Sequence, residues 1–249
     1  MFYYLFTIEY DGTDFCGWAK QKGQKTIQGE IERAINLVTR NSHYRVVGAS
    51  KTDSGVHAKD QKAWIELDFK PNILGFLNAL NRALPLGIKI RKANQIEKTF
   101  RVRNCIKKVY HYQISLKPKS VFSNRYWFFS NQDYDLRKLE QALNLFIGEH
   151  NFKNFSGLKG KELDTINTIR KIDLIFLKQE NDDIIIVFEA KGFIRYQIRS
   201  IVGVCLAYSC GKITLENIKN VLDLKEEKLP YMANPEGLIL YEINYEFDS

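Results

Sequence analysis

Residues 61–84 read QKAWIELDFKPNILGFLNALNRAL, and the period of the hydrophobic pattern changes once within this stretch. Alternate positions from Ala63 to Phe69 are apolar, which is typical of a strand with one buried face. From Asn72, a favourable N-cap residue, apolar residues recur at helical spacing as far as Leu84. The stretch therefore predicts a strand followed directly by an amphipathic helix.

The same succession of strand and helix occurs on both sides of this stretch. Residues 2–10 alternate and predict a strand that ends at the turn pair Asp11-Gly12, and Thr26 is a plausible N-cap for the next helix. The order begins again after residues 100–106. The elements predicted there are strands at 107–116, 168–177 and 183–193, helices at 135–146, at 194–210 and from Thr214, and a closing strand at 238–247.

This order predicts an α+β fold. Antiparallel sheets with helices on one face fit the order better than a doubly wound parallel sheet. We expect two ferredoxin-like or RRM-like halves, residues 1–103 and 104–249, with their sheets side by side and a central cleft between them. No glycine- or serine-rich linker marks the boundary, which is inferred from the place where the pattern restarts.

Composition limits the function classes. The chain has 249 residues, of which 45% are hydrophobic, so it can form real cores, and its formal charge of +8 makes nucleic acid the leading partner class. A lysine-rich surface without a polyanionic partner is the alternative. The N-terminus lacks the regions of a secretory signal, and no apolar run is long enough to cross a bilayer, so we expect a cytoplasmic protein.

The sequence offers no support for a metal or a nucleotide cofactor. Its four cysteines form no C-x-x-C pair, which argues against a zinc ribbon and a disulfide scaffold and favours buried thiols in a reducing compartment. The four histidines are scattered, and the glycines match neither a P-loop nor a G-x-G-x-x-G motif. The cysteines are Cys16, Cys105, Cys205 and Cys210.

Residues 50–58, SKTDSGVHA, contain the first candidate for chemistry, Asp53. T-D-x-G is good turn chemistry, because aspartate favours an early turn position and glycine accepts a positive φ. The wider loop, however, is polar, has no apolar anchor before Val56, and carries Lys51 and His57 close to the carboxylate. A simple turn and a reacting group both remain open on these residues alone.

Two further stretches carry candidate residues. In residues 107–114, KKVYHYQI, Tyr110 and Tyr112 share one face of a strand, and we expect Tyr112 to belong to the core. Arg195 and Arg199 are four residues apart and share one face of the predicted apolar helix at 194–210. An arginine at the start of a buried helix needs an anion, although a solvated helix end is the alternative for both residues.

Taken together, these stretches resemble the tRNA pseudouridine synthase A family. The SKTDSGVHA stretch is similar to the family's G-R-T-D-A-G-V-H-A, and the matches run in order along most of the chain. The other matching stretches are EYDGTDFCGW at 9–18, FRVR at 100–103, YHY at 110–112, FIRYQIRSIVG at 193–203 and PEGLIL at 235–240.

The resemblance implies a function and a set of site residues. It implies an isomerase that converts uridine to pseudouridine at positions 38, 39 or 40 of the tRNA anticodon stem-loop, without a cofactor. Asp53 would be the nucleophile or base, Arg199 its ion-pair partner, and Tyr110 the residue that stacks on the uracil. The cleft would bind RNA, and the protein would act as a homodimer on tRNA. The residues expected to bind substrate are Lys51, Tyr110, His57, Arg101, Arg103, Lys20 and Lys22.

The sequence departs from the family pattern at a few positions. Lys51 replaces an arginine, and it keeps the charge but loses the planar bidentate fork; Ser54 replaces an alanine and Gln197 a methionine. These departures keep open a tRNA-binding protein or folding chaperone without catalysis. A carboxylate-dependent hydrolase of small nucleotides is a third alternative, which no paired second acid supports.

Overall fold

The structure is a computed structural model that describes residues 1–40 and 42–246, and the chain divides into two units. The first unit contains Met1–Ile106 together with the segment that begins at Ile239, and the second contains Lys107–Leu238. The first unit thus ends after Ile106 instead of residue 103, and the closing strand belongs to the first unit instead of the second. The predicted mixture of α and β structure is confirmed.

A sheet and two helices form the first unit. The elements in chain order are β1 (Phe2–Tyr10), α1 (Ile27–Thr39), β2 (Tyr44–Gly48), β3 (His57–Leu67), α2 (Ile73–Ala83) and β4 (Ile88–Gln95). β1 pairs antiparallel with β3 on one side and with β4 on the other, and β2 pairs antiparallel with the C-terminal half of β3.

The core of the first unit follows from the period-two pattern. Alternate residues of β1 from Tyr4 to Tyr10 are buried, and each pairs with a buried residue of β3; the register shifts once, between the pairs Ile8–Gln61 and Tyr10–Ala58. The apolar faces of α1 and α2 are buried too. Both predicted N-caps are confirmed: the side chains of Thr26 and Asn72 each accept a hydrogen bond from a backbone N–H in the first turn.

The second unit has a sheet, four helices and a separate two-stranded ribbon. The elements are β5 (Lys107–Ser115), β6 (Phe128–Phe129), α3 (Leu136–Asn144), β7 (Gly148–Asn151), α4 (Glu162–Thr165), β8 (Ile169–Ile172), β9 (Leu174–Glu180), β10 (Asp183–Ala190), α5 (Gln197–Ser209) and α6 (Leu215–Leu222). β10 pairs antiparallel with β5 and β9, β6 pairs in parallel with β5, and β7 pairs antiparallel with β8.

Two predicted elements of the second unit need correction. The strand predicted at 168–177 is interrupted at Asp173, so that its first half pairs with β7 and its second half pairs with β10. The helix predicted from residue 194 begins only at Gln197, because Tyr196 has a φ of 65°. A left-handed residue cannot continue a right-handed helix at low cost.

The closing strand, β11 (Leu238–Asn244), returns to the first unit. Its residues Ile239 and Leu240 pair in parallel with His57 and Ala58 at the beginning of β3. Beyond these pairs, the Ile243 N–H donates to Asp60 Oδ2 at 2.9 Å. The strand therefore supports the end of the sheet where β3 starts. The last predicted strand residue, 247, lies outside the described residues.

Candidate active site

The Asp53 loop, residues 49–56, connects β2 to β3 in the first unit. The Val56 N–H donates to the Asp53 carbonyl at 3.2 Å, and Gly55 has a φ of 77°. This is a tight turn that starts at Asp53 and needs glycine at its third position. The side chain of Asp53 is half-buried. The residue is therefore the first residue of a turn, and its carboxylate lies neither in a core nor on a fully solvated surface.

A second segment, residues 11–18, runs beside this loop and is called the cradle below. The Trp18 N–H donates to the Thr52 carbonyl at 3.1 Å. On the other side of Asp53, the Gly55 N–H and the Ser54 hydroxyl both donate to the Phe15 carbonyl, at 3.3 and 3.2 Å. Backbone contacts from the cradle thus fix the loop on either side of the carboxylate.

Two glycines allow the cradle to approach so closely. A Cβ on Gly12 would lie 2.0 Å from the Val56 carbonyl oxygen, and a Cβ on Gly17 would lie 2.6 Å from the Thr52 carbonyl oxygen. Gly17 also has a φ of 80°, which other residues adopt at a cost. The two glycines of EYDGTDFCGW therefore allow the close contact with the Asp53 loop.

A buried amide ties the loop to the sheet. Gln61, in β3, is 0% exposed; its Nε2 donates to the Ser50 carbonyl at 2.9 Å, and its Oε1 accepts from the Ser50 N–H at 3.2 Å. These two contacts fix the orientation of the amide. Nε2 also donates to the Tyr10 hydroxyl at 3.3 Å, and the Tyr10 hydroxyl lies 2.7 Å from Thr52 Oγ1. The chain Gln61–Tyr10–Thr52 ends at the residue before Asp53.

Tyr10 is a neutral member of this hydrogen-bond network. Burial raises its pKa far above the ordinary value, and this effect outweighs the hydrogen bonds with Thr52 and Gln61, which lower the pKa. The Tyr10 hydroxyl accepts a hydrogen bond from Gln61, and in its contact with Thr52 either hydroxyl can be the donor. The geometry of the network is therefore independent of pH across the neutral range.

His57 is buried behind the loop, with an exposure of 2%. Its Nδ1 accepts a hydrogen bond from the Gly12 N–H at 3.0 Å and lies 3.3 Å from Asp11 Oδ1. Since Nδ1 accepts, the neutral ring carries its proton on Nε2, and the pair with Asp11 is not an ion pair in this state. His57 thus joins the start of the cradle to the end of the loop.

The lysines and arginines predicted to bind substrate in the first unit lie on its surface. Lys51, Lys22, Arg101 and Arg103 are exposed. Lys20 is exposed too, but its ammonium is 2.6 Å from Glu32, and this hydrogen bond raises the pKa of the lysine. Any contact of Lys20 with RNA would therefore compete with its ion pair with Glu32.

Tyr110 and Tyr112 occupy neighbouring positions on one face of β5 in the second unit. Tyr112 is 0% exposed, its hydroxyl donates to the Asn234 carbonyl at 2.9 Å, and burial raises its pKa, so its predicted core role is confirmed. Tyr110 is 6% exposed and meets the ring of Phe193 edge to face, with 5.3 Å between ring centroids. Its ring is therefore held in a fixed orientation.

Arg199 lies in the first turn of α5 and is 8% exposed. Its Nε donates to the Ala233 carbonyl at 2.8 Å, the Ala233 N–H donates back to the Arg199 carbonyl at 2.9 Å, and the guanidinium lies 5.4 Å from the centroid of the Tyr196 ring. Gly203, one turn later, permits this approach, because a Cβ there would lie 2.7 Å from the backbone of Met232. The segment around Ala233 thus fixes the guanidinium.

Arg195 does not share a helix face with Arg199, contrary to the prediction, because it precedes Tyr196 and the start of α5. Its guanidinium binds Glu162 in a bidentate pair, with 3.0 Å from Nη1 to Oε1 and 2.7 Å from Nη2 to Oε2, and it also donates to the Gly157 carbonyl. The pair lowers the pKa of Glu162. The anion that Arg195 needs is therefore an exposed side chain of the same unit.

Two of the departures from the family pattern make local contacts. The Ser54 hydroxyl supplies the additional hydrogen bond to the Phe15 carbonyl, which alanine could not make. Gln197 is 1% exposed, and its Oε1 accepts from the Ile194 N–H at 2.9 Å, which supports the left-handed turn before α5.

Sequence reasoning missed the network behind the loop. The alternating face of the strand was read from Ala63 onward, and the same phase extended backward reaches Gln61. A polar amide at a core position of a strand needs hydrogen-bond partners, and this was the available signal. Tyr10 ends the alternating pattern of β1, and a buried tyrosine hydroxyl at that position also needs a partner.

Within residues 1–40 and 42–246, no group of three or more His, Cys, Asp or Glu side chains could hold a metal ion. No helix of the same residues is both long and apolar enough to cross a membrane. Cys105 and Cys205 are buried, as the sequence predicted, whereas Cys16 and Cys210 are half-buried.

Comparisons with known proteins give a consistent result. A family model described as tRNA pseudouridine synthase matches residues 142–246. The chain is 47% identical to tRNA pseudouridine synthase A of Mesoplasma florum, over 99% of this chain and 100% of that protein. It is 39% identical to tRNA pseudouridine synthase A of Spiroplasma kunkelii, over 98% of this chain and 95% of that protein.

Proposed function

Because the chain belongs to the tRNA pseudouridine synthase A family, we propose that it isomerises uridine to pseudouridine in tRNA, with Asp53 as the reacting carboxylate. The observation that carries the proposal is the Asp53 loop itself. Asp53 is half-buried. Hydrogen bonds fix Ser50 and Thr52 before it, and backbone hydrogen bonds to the cradle fix the turn after it. Such preorganisation is what a group needs to meet one atom of a large substrate.

The chemistry fits a single carboxylate. The bond from ribose C1′ to uracil N1 breaks, the base rotates, a bond forms from C1′ to C5, C5 loses its hydrogen and N1 gains one. Nothing is oxidised or imported, so the proposed reaction requires no cofactor. Asp53 would either add to C1′ or take a proton from C2′, and both routes need its ionised form.

The residues of the second unit have proposed roles. Arg199, whose guanidinium is fixed by Ala233, is the proposed cation that keeps Asp53 ionised. Tyr110 is the proposed stacking partner of the uracil, and such stacking contributes ~1–3 kcal/mol per base. Lys51 is exposed and is proposed to assist when the target uridine leaves its stack.

Most of the other predicted substrate-binding residues are proposed to contact the RNA backbone. Arg101, Arg103, Lys20 and Lys22 are exposed cations that can neutralise phosphates. For His57, burial and the contact with Gly12 favour support of the loop over direct contact with the RNA. The anticodon stem-loop as the target, the homodimer and a cytoplasmic location are further parts of the proposal.

Mapping of the product tests the proposal. Unmodified tRNA transcripts are incubated with catalytic amounts of protein, and pseudouridine is located by carbodiimide modification and primer extension. We expect several products per protein molecule at positions 38, 39 or 40, and loss of the signal when the modified uridine is replaced by cytidine. Tight tRNA binding without product would instead identify a non-catalytic RNA-binding protein.

A further inference from the structure

Three cations line the start of β4 in the first unit: Lys89, Arg91 and Lys92. All three are exposed, whereas Ile88 and Ile90 between them are buried. This set is called the basic face below. Arg91 lies 3.5 Å from the carboxylate of Glu9, and since the two side chains are 56% and 38% exposed, this ion pair contributes little to stability.

An irregularity in the strand pairing places these cations on one side of the sheet. Lys89 is opposite Glu9, and the register then shifts so that Lys92 is opposite Thr7, which leaves Arg91 as an extra residue. Glu9 and Thr7 alternate with the buried residues of β1, so they lie on the outer face. The contact of Arg91 with Glu9 shows that this side chain lies on the outer face too. A bulge that redirects a side chain in this way is common near active sites.

The basic face begins beside the cradle. Ile88 pairs with Tyr10, and the Asp11 N–H donates to the Gly87 carbonyl at 2.9 Å. The cradle starts at Asp11 and fixes the Asp53 loop, so the loop and the basic face lie at the same end of one sheet. With a rise of about 3.3 Å per residue, the cations extend about 13 Å along β4 from that end.

We propose that the basic face binds the sugar-phosphate backbone of the RNA substrate while Asp53 meets the target uridine. This inference rests on the proposed function for the identity of the RNA. Lysines supply point charges and the arginine supplies a fork that can bind one phosphate through two hydrogen bonds. The competing explanation is that charges on an edge strand only prevent pairing with other chains.

The test measures the salt dependence of tRNA binding by fluorescence anisotropy, in a protein that carries Asp53→Asn so that no product forms. Three proteins are compared: this parent, the parent with Lys89→Gln, Arg91→Gln and Lys92→Gln, and a control with Lys178→Gln, Lys212→Gln and Lys219→Gln. The control loses the same charge from exposed positions of the second unit. Thermal unfolding verifies that all three proteins are folded.

Each phosphate contact contributes about 0.7–0.9 to the slope of log K against log salt concentration. We expect the basic-face variant to lose about 2–3 units of slope, and the control to lose less than about one unit. A variant with Lys89→Arg, Arg91→Lys and Lys92→Arg should keep the parent slope. Equal slopes for the basic-face variant and the control, or self-association of that variant with unchanged affinity, would overturn the proposal.

Failure of this inference can be told apart from failure of the proposed function. If wild-type protein forms pseudouridine but the slope does not change, the basic face is excluded and the function stands. If the slope falls but wild-type protein forms no product, the basic face stands as an RNA site and the synthase activity is excluded.

Discussion

Gln61→Met tests whether the buried amide holds the Asp53 loop. The change keeps the length of the side chain and removes three hydrogen bonds, two with Ser50 and one with Tyr10. Each of these hydrogen bonds contributes ~1 kcal/mol, so the observed conformation of the Asp53 loop loses about 3 kcal/mol of stabilisation. Because 1.4 kcal/mol corresponds to a factor of ten, kcat should fall by about 10- to 100-fold, with the remaining cradle contacts retaining part of the order.

The assay is multiple-turnover formation of pseudouridine, followed over a range of tRNA concentrations, so that kcat and the KM for tRNA are separated. KM should change by less than about threefold, since Gln61 is fully buried and does not touch the RNA. Gln179→Met is the matched control, because it removes an exposed glutamine amide far along the chain from the loop. A normal kcat in Gln61→Met, or a change confined to KM, would refute the reasoning.

Gln61→Glu sharpens the same test. An ionised carboxylate would place an acceptor against the Ser50 carbonyl, where Nε2 now donates at 2.9 Å, whereas the protonated acid can donate once. Burial and the facing carbonyl raise the pKa of such a carboxyl. The kcat of Gln61→Glu relative to Gln61→Met should therefore rise as pH is lowered from 8 to 5.5. A ratio that is constant with pH would contradict the predicted hydrogen-bond direction.

Three further predictions concern the cradle, Arg199 and Tyr10. Gly12→Ala places a methyl group 2.0 Å from the Val56 carbonyl oxygen and should lower kcat at least tenfold in multiple-turnover assays, whereas Gly192→Ala, with open space around it, should not. Arg199→Lys removes the Nε–H that donates to the Ala233 carbonyl. The change should lower kcat without abolishing tRNA binding, and both quantities are measured on the same preparations. Since the folded pKa of Tyr10 is raised, the unfolded chain loses this proton first as pH rises above ~10, and stability falls by up to about 1.4 kcal/mol per pH unit. Tyr10→Phe should reduce that slope in denaturant titrations, and an unchanged slope would contradict the assigned burial.

Strong local signals made most of the fold predictable. Thr26 and Asn72 begin helices because their side chains satisfy first-turn N–H groups, and the alternation from Ala63 to Leu67 is a strand with one buried face. The predicted boundaries were wrong where an element ends because of an unusual backbone conformation or because of pairing between distant residues. No pattern signals that Tyr196 adopts a positive φ, or that Asp173 separates strands of two different sheets.

The residues of the candidate site remain predictions from the sequence, and the contacts that support Asp53 could not be predicted from the sequence. Asp53 stands out in sequence because its polar loop has no apolar anchor before Val56, and the turn chemistry of T-D-x-G correctly describes the turn. The hydrogen bonds that fix it come from Gln61 and Phe15, which are neighbours only after the sheet forms. The return of β11 to the first unit likewise depends on pairing between distant residues, Ile239 and His57.

The most direct test of the account is release of tritium from tRNA labelled at uridine C5, with wild-type protein and Asp53→Asn. The C5 hydrogen must leave when C5 bonds to C1′, and asparagine keeps the size of the side chain without its charge. We expect release with wild type, none with Asp53→Asn, and equal tRNA binding by both. Release by both proteins, or by neither while tRNA binds tightly, would contradict the assignment of Asp53 as the reacting group.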